Sequence, residues 1–113
     1  AVASNAPEPN ARMTLEALGI EDLFAAVVTP GPTLPGKPKP DIFLAAALRL
    51  GVAPSGCVVL EDSDAGALGA IAAGMTPIVI PDLKPPSAEV LRSNPLVVAS
   101  LHEALAHLAA LPR

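Results

Sequence analysis

The 113-residue chain contains no tryptophan, no tyrosine and only two phenylalanines. A core with so few rings has to be built from Ala, Val, Leu and Ile. There is a single cysteine, Cys57, set inside an apolar run. A disulfide framework is therefore excluded, and a buried core thiol is expected. Basic residues are scarce too, with seven Lys and Arg against eleven Asp and Glu, for a net charge of −4. That balance argues against nucleic acid or an anionic membrane as the main partner. No apolar stretch runs long enough to cross a bilayer, and no signal-peptide pattern is present. A soluble, cytoplasmic protein is the default expectation. The chain starts with Ala1 rather than Met, directly in what reads as a strand. A fragment or a processed chain is expected from that start.

What is present is a hydrophobic, weakly charged chain, 51% against 16% of residues, sized for one domain at most. Short β-branched runs alternate with Ala- and Leu-rich stretches. Strands are expected at Ala1–Ser4, Ala26–Thr29, Cys57–Leu60, Pro77–Ile80 and Leu96–Ala99. Each is apolar nearly throughout, the pattern of parallel strands covered on both faces. Helices are expected at Arg12–Leu18, Asp41–Leu50, Ser63–Ala73 and Leu101–Leu111. Their expected apolar faces are Ile42, Phe43, Ala46, Ala47 and Leu50; Ala65, Leu68 and Ala72; and Leu101, Leu105 and Leu108. Pro40 reads as lying just inside a helix start, while Gly19, Gly51 and Gly74 follow helix ends. The alternation predicts an α/β fold, a doubly wound parallel sheet over residues 1–113. Fourteen prolines concentrate in the loops at Pro30–Pro40 and Pro81–Pro86, which should be stiff and extended.

In such a sheet, ligands bind beyond the carboxyl ends of the strands. The residues to read are therefore Ser4 and Asn5, Thr29, Glu61, Asp62 and Ser63, and Asp82, with Lys37 in the loop before the next helix. Two adjacent carboxylates can hold Mg²⁺, a hard cation that takes oxygen ligands and keeps several waters. A lysine can neutralise the charge on a transferring phosphoryl group, and a hydroxyl with nearby N–H groups can bind its oxygens. Taken singly, Glu61 and Asp62 could be an ordinary helix start with Ser63 as the cap. Lys37 taken singly is a solvent lysine. Asp41 and Asp64 read as first-turn acids, and Lys39, His102 and His107 as surface residues.

Three motifs occur in order. VASNA (Val2–Ala6), GKPKPDIF (Gly36–Phe43) and VVLEDSDAG (Val58–Gly66), the last followed by AIAAGM (Ala70–Met75), resemble the second, third and fourth motifs of the haloacid dehalogenase superfamily. The match is to its β-phosphoglucomutase- and phosphoglycolate-phosphatase-like members, and it extends to VVASLHEAL (Val97–Leu105). The resemblance implies a Rossmann-like core in which Ser4 and the Asn5 N–H bind phosphoryl oxygens. It implies that Lys37 is catalytic and stabilises the phosphoryl charge, and that Glu61 and Asp62 ligate Mg²⁺. The function implied is Mg²⁺-dependent hydrolysis of a small phosphorylated metabolite through an aspartyl-phosphate.

The chain departs from the family pattern in one respect. The first motif, an aspartate pair whose first member is the nucleophile, is absent, as is the cap domain that chooses the substrate. These residues are therefore expected to be a partial core, inactive alone, with an N-terminal segment as a missing partner. The family's strand order implies AVVT, AVAS, a gap, CVVL, PIVI, LVVA. Phosphomutase activity within the family is an alternative. So is a non-catalytic α/β interaction domain. A receiver-type phospho-acceptor is disfavoured, because there the acids precede the lysine and here Lys37 comes first.

Overall fold

A computed structural model describes residues 1–111. Strands β1 (Val2–Ala3), β2 (Val27–Val28), β3 (Val58–Glu61), β4 (Thr76–Val79) and β5 (Leu96–Val97) alternate with five helices. These are α1 (Glu8–Ala17), α2 (Asp41–Leu50), α3 (Asp64–Ala72), α4 (Ala88–Arg92) and α5 (Leu101–Ala109). Single 3₁₀ turns lie at Glu21–Leu23 and Pro54–Gly56. All strand pairing is parallel, but it falls into two ladders. In one, Val2 pairs with Val27; in the other, Val58 through Glu61 pair with Thr76 through Val79, and Ile78 pairs with Leu96. The order is β2-β1, a break, then β3-β4-β5.

Helices cover both faces because neighbouring strand residues point opposite ways. In the smaller ladder, Val2 and Val27 pack on Ala11 and Leu15 of α1, whereas Ala3 and Val28 pack on Ile42 and Ala46 of α2. In the larger, Ile78 packs on Ala104 of α5, and Val79 on Ala67 and Val90 of α3 and α4. Phe43 and Ala47 of α2 also meet Ala70, Ala73 and Met75, with Ala3, Cys57 and Val59 against them. Helix α2 thus underlies both ladders and ties them together through apolar contact.

The break is a cleft of about 410 Å³. Ala1, Val2 and Ala3 form one wall, Val58, Val59 and Leu60 the other, with Phe43, Ala47 and Met75 among the remaining lining residues. Among the described residues no hydrogen bond joins β1 to β3, so the gap implied by the family's strand order is kept.

Several expectations need correction. The strands are shorter than their apolar runs, and β3 is not covered on both faces: Val58 and Leu60 remain 37% and 43% exposed beside the cleft. Cys57 is half-buried rather than buried. Pro40 is the residue before the first turn of α2, not within it. In α3 the buried face is Gly66, Ala67, Gly69 and Ala70, instead of Ala65, Leu68 and Ala72. The reason is close approach: a Cβ at Gly69 would come within 2.8 Å of Phe43 Cε2 and 3.1 Å of the Lys39 carbonyl oxygen. Gly69→Ala is accordingly expected to lower stability by about 1–3 kcal/mol, despite alanine's better helix propensity, as urea denaturation would read. In α5, Ala104 is buried, while Leu101 and Leu105 stand 63% and 64% exposed. Gly19, Gly51 and Gly74 do end their helices, each with φ near +70° to +78°. There a side chain would be strained.

Candidate phosphoryl-binding site

The carboxyl ends of β1 and β3 carry the polar groups. Ser4 follows β1 and anchors to β2 by donating its N–H to the Val28 carbonyl at 3.0 Å. Its hydroxyl accepts the Ala6 N–H at 3.1 Å and keeps its own proton free to donate. Among the described residues the Asn5 N–H has no protein acceptor. Both residues follow the carboxyl end of β1, the usual ligand side of a parallel sheet.

Lys37 lies in the proline-rich loop before α2, where the Lys37–Pro38 peptide bond is cis. Its backbone is clasped by the Asn5 side chain: the Lys37 N–H donates to Asn5 Oδ1 at 2.8 Å, and Asn5 Nδ2 donates to the Lys37 carbonyl at 3.2 Å. Gly36 makes this approach possible, since a Cβ there would crowd Asn5 Oδ1 and the Pro30 ring. The Lys37 ammonium sits 2.7 Å from Glu61 Oε2, the two side chains being only 12% and 9% exposed. It also lies 5.3 Å from the centre of the Phe43 ring, within cation–π range. One N–H is spent on Glu61, and the ammonium has three.

Glu61 is the last residue of β3 and helps line the cleft. Its Oε1 accepts the Asp62 N–H at 3.1 Å and the Ser63 hydroxyl at 3.2 Å. Ser63 caps α3, with its hydroxyl oxygen accepting the Gly66 N–H at 3.1 Å. Glu61 folds back over Gly66, in space a Cβ would occupy. Asp62 is exposed, and no donor among the described residues reaches its carboxylate. It borders a shallow depression with Ser63, Asp64, Asp82 and Lys84.

Sequence reasoning placed Ser4, Asn5, Lys37, Glu61 and Asp62 at one rim. The structure joins Asn5, Lys37 and Glu61 in a continuous chain of contacts, with Ser4 and Asp62 next to its ends. The two acids differ in their surroundings, however. Glu61 is engaged with Lys37, whereas Asp62 is open. Among the described residues no cluster of three or more His, Cys, Asp or Glu side chains is arranged around a common point. Thr29 and Asp82 join none of these contacts, and His102 and His107 are exposed on α5. Asp64 is exposed too, but its carboxylate accepts the Ser87 N–H at 3.1 Å and so ties α3 to the start of α4.

A family profile described as haloacid dehalogenase-like hydrolase matches residues 1–74. The chain belongs to the haloacid dehalogenase superfamily. Within it, this superfamily member falls in the β-phosphoglucomutase-like subgroup. It is 38% identical over 97 residues to β-phosphoglucomutase of Bacillus subtilis, covering 83% of this chain and 43% of the relative. It is 44% identical over 75 residues to a fructose-1-phosphate phosphatase of Escherichia coli, covering 66% and 40%. A solved HAD family hydrolase from Deinococcus radiodurans, with bound phosphate and sodium, superposes with a TM-score of 0.82 at 33% identity. That match covers 96% of this chain and 51% of the other. The chain spans about half the length, or less, of the relatives it matches. No helix among the described residues is long and apolar enough to cross a membrane.

Proposed function

We propose that these residues form the phosphoryl-binding part of a Mg²⁺-dependent phosphohydrolase acting on a small phosphorylated metabolite. The observation that carries this reading is the placement of Lys37. A nearly buried ammonium is paired with Glu61 at the strand ends, beside a hydroxyl and an unpaired N–H. Ser4, the Asn5 N–H and Lys37 hold the phosphoryl oxygens by hydrogen bonds and charge. The phosphate bound to the Deinococcus radiodurans protein supports the same ligand class.

The donor chemistry of the rim fits Mg²⁺. Asp62 and Glu61 supply hard carboxylate oxygens, and such an ion commonly takes one or two from protein beside water and phosphate. Asp62, free of protein donors, is the direct ligand; Glu61 has one acceptor position left after Lys37, the Asp62 N–H and the Ser63 hydroxyl. When bound, the ion would offset charge on the phosphoryl oxygens. The nucleophilic aspartate of the aspartyl-phosphate route is proposed to come from polypeptide outside these 113 residues. The strand that carries it would lie parallel between β1 and β3, where two strand edges flank an apolar cleft. A phosphomutase is the second reading, supported by the β-phosphoglucomutase relative.

The test is titration of inorganic phosphate with Mg²⁺ into the ¹⁵N-labelled chain. Shifts at the Asn5 and Lys37 amides are expected, and Lys37→Met should weaken binding at least about tenfold, or 1.4 kcal/mol. Unchanged binding in Lys37→Met would overturn the reading.

A further inference from the structure

The Asn5 carboxamide has no role in the proposal above, which uses only that residue's backbone N–H. Yet it makes both of its hydrogen bonds to the backbone of one residue, the N–H and C=O of Lys37, across 32 positions of sequence. Lys37 in turn reaches Glu61 on the far side of the cleft. Since β1 and β3 share no backbone hydrogen bond among the described residues, the chain Asn5–Lys37–Glu61 spans the break in polar contacts. Apolar packing through α2 fixes the two ladders only at the level of Phe43 and Ala47. At one end of the Lys37 loop Leu34 packs on Ile42 and Ala46, but among the described residues the Lys37 backbone itself makes hydrogen bonds only with Asn5.

We infer that Asn5 is a positioning residue: its side chain sets the Lys37 backbone at the end of β1, and so sets where the ammonium stands between Glu61 and the phosphoryl group. This inference rests on the phosphoryl-binding reading, which it deepens. Its physical content is a coupling. With the backbone clasped, the lysine side chain needs to fix only its own rotamers to reach Glu61 and a ligand at once. Without the clasp, the loop must also be ordered when ligand binds, and that cost appears as lost affinity. Gly36 belongs to the same device, because any larger residue would push the amide away.

Two measurements on the 113-residue chain decide it. The first needs no ligand. Hydrogen exchange at the Lys37 amide is expected to quicken at least about tenfold in Asn5→Ala, the signature of a lost acceptor. Asn5→Asp keeps an oxygen for that N–H and should restore most of the protection. The second is phosphate affinity with Mg²⁺, expected to fall about five- to tenfold in Asn5→Ala. In a double-mutant cycle with Glu61→Gln the two losses should be non-additive, since both act through Lys37. A residue that merely supports the fold would lower the melting temperature and leave the cycle additive. Unchanged Lys37 exchange in Asn5→Ala overturns the inference, as does unchanged phosphate affinity in a wild type that binds. Should wild type bind no phosphate, the phosphoryl reading falls, and the positioning role falls with it even if the Lys37 amide is protected by Asn5.

Discussion

The 113-residue chain by itself is expected to hydrolyse an aryl phosphate no faster than buffer containing Mg²⁺. The proposed site binds and polarises: Lys37 neutralises charge, Ser4 and the Asn5 N–H hold oxygens, and Asp62 offers a metal ligand. None of these roles is that of a nucleophile. Glu61, the carboxylate beside Lys37, has Oε2 committed to Lys37 at 2.7 Å and Oε1 to two further donors. Loss of a covalent nucleophile costs on the order of 10⁴- to 10⁶-fold in rate in enzymes where it has been removed. An effect of that size would put turnover below detection. The assay is release of the phenol with Mg²⁺ present. Turnover that persists in wild type and disappears in Asp62→Ala would place the attacking or activating group inside this chain and sink the assignment of the nucleophile to other polypeptide.

What was legible in the sequence follows from how local each signal is. The runs CVVL and PIVI announce β3 and β4, each to within one residue, because β-branched side chains favour the pleated strand surface. Ser63 announces the start of α3 as a capping residue, and the bond to the Gly66 N–H bears it out. Helix α4 went unread although its punctuation is present: Ser87 caps Val90, and Asn94 takes φ +54° just past the end. Its five residues are too few for any apolar period to show. The buried faces of α3 and α5 were misread for another reason. Hydrophobic periodicity favours the large side chains Leu68, Leu101 and Leu105, whereas close packing selected Gly66, Gly69 and Ala104. The motif residues Ser4, Asn5, Lys37, Glu61 and Asp62 could be named in advance, as could the rim they occupy. The clasp of Lys37 by the Asn5 side chain could not, because it depends on a loop brought back across 32 positions.

Gly66→Ala offers a test in which two effects oppose each other and the sign is decided by Glu61. Residue 66 lies in the first turn of α3, where alanine would ordinarily stabilise a helix by about 1 kcal/mol over glycine. Here the new Cβ would overlap Cγ, Cδ and Oε2 of Glu61, so the Glu61 side chain must leave. Leaving breaks the bond to Lys37, whose ammonium then stays largely shielded from water without its partner. It also frees the Asp62 N–H and the Ser63 hydroxyl from their acceptor. Breaking a buried ion pair costs about 3–5 kcal/mol, and a pair with some exposure at the rim should cost about 2–4 kcal/mol. The loss exceeds the propensity gain, so Gly66→Ala should destabilise by about 1–3 kcal/mol in urea denaturation. In a Glu61→Ala background the obstacle is gone. There the same substitution should stabilise by up to about 1 kcal/mol, reversing its sign. Phosphate affinity should follow the first arm alone, falling in Gly66→Ala because Lys37 has lost its carboxylate guide. A Gly66→Ala chain as stable as wild type, with the Lys37–Glu61 contact intact, would mean that Glu61 is not pinned over the helix and that the rim is looser than the geometry shows.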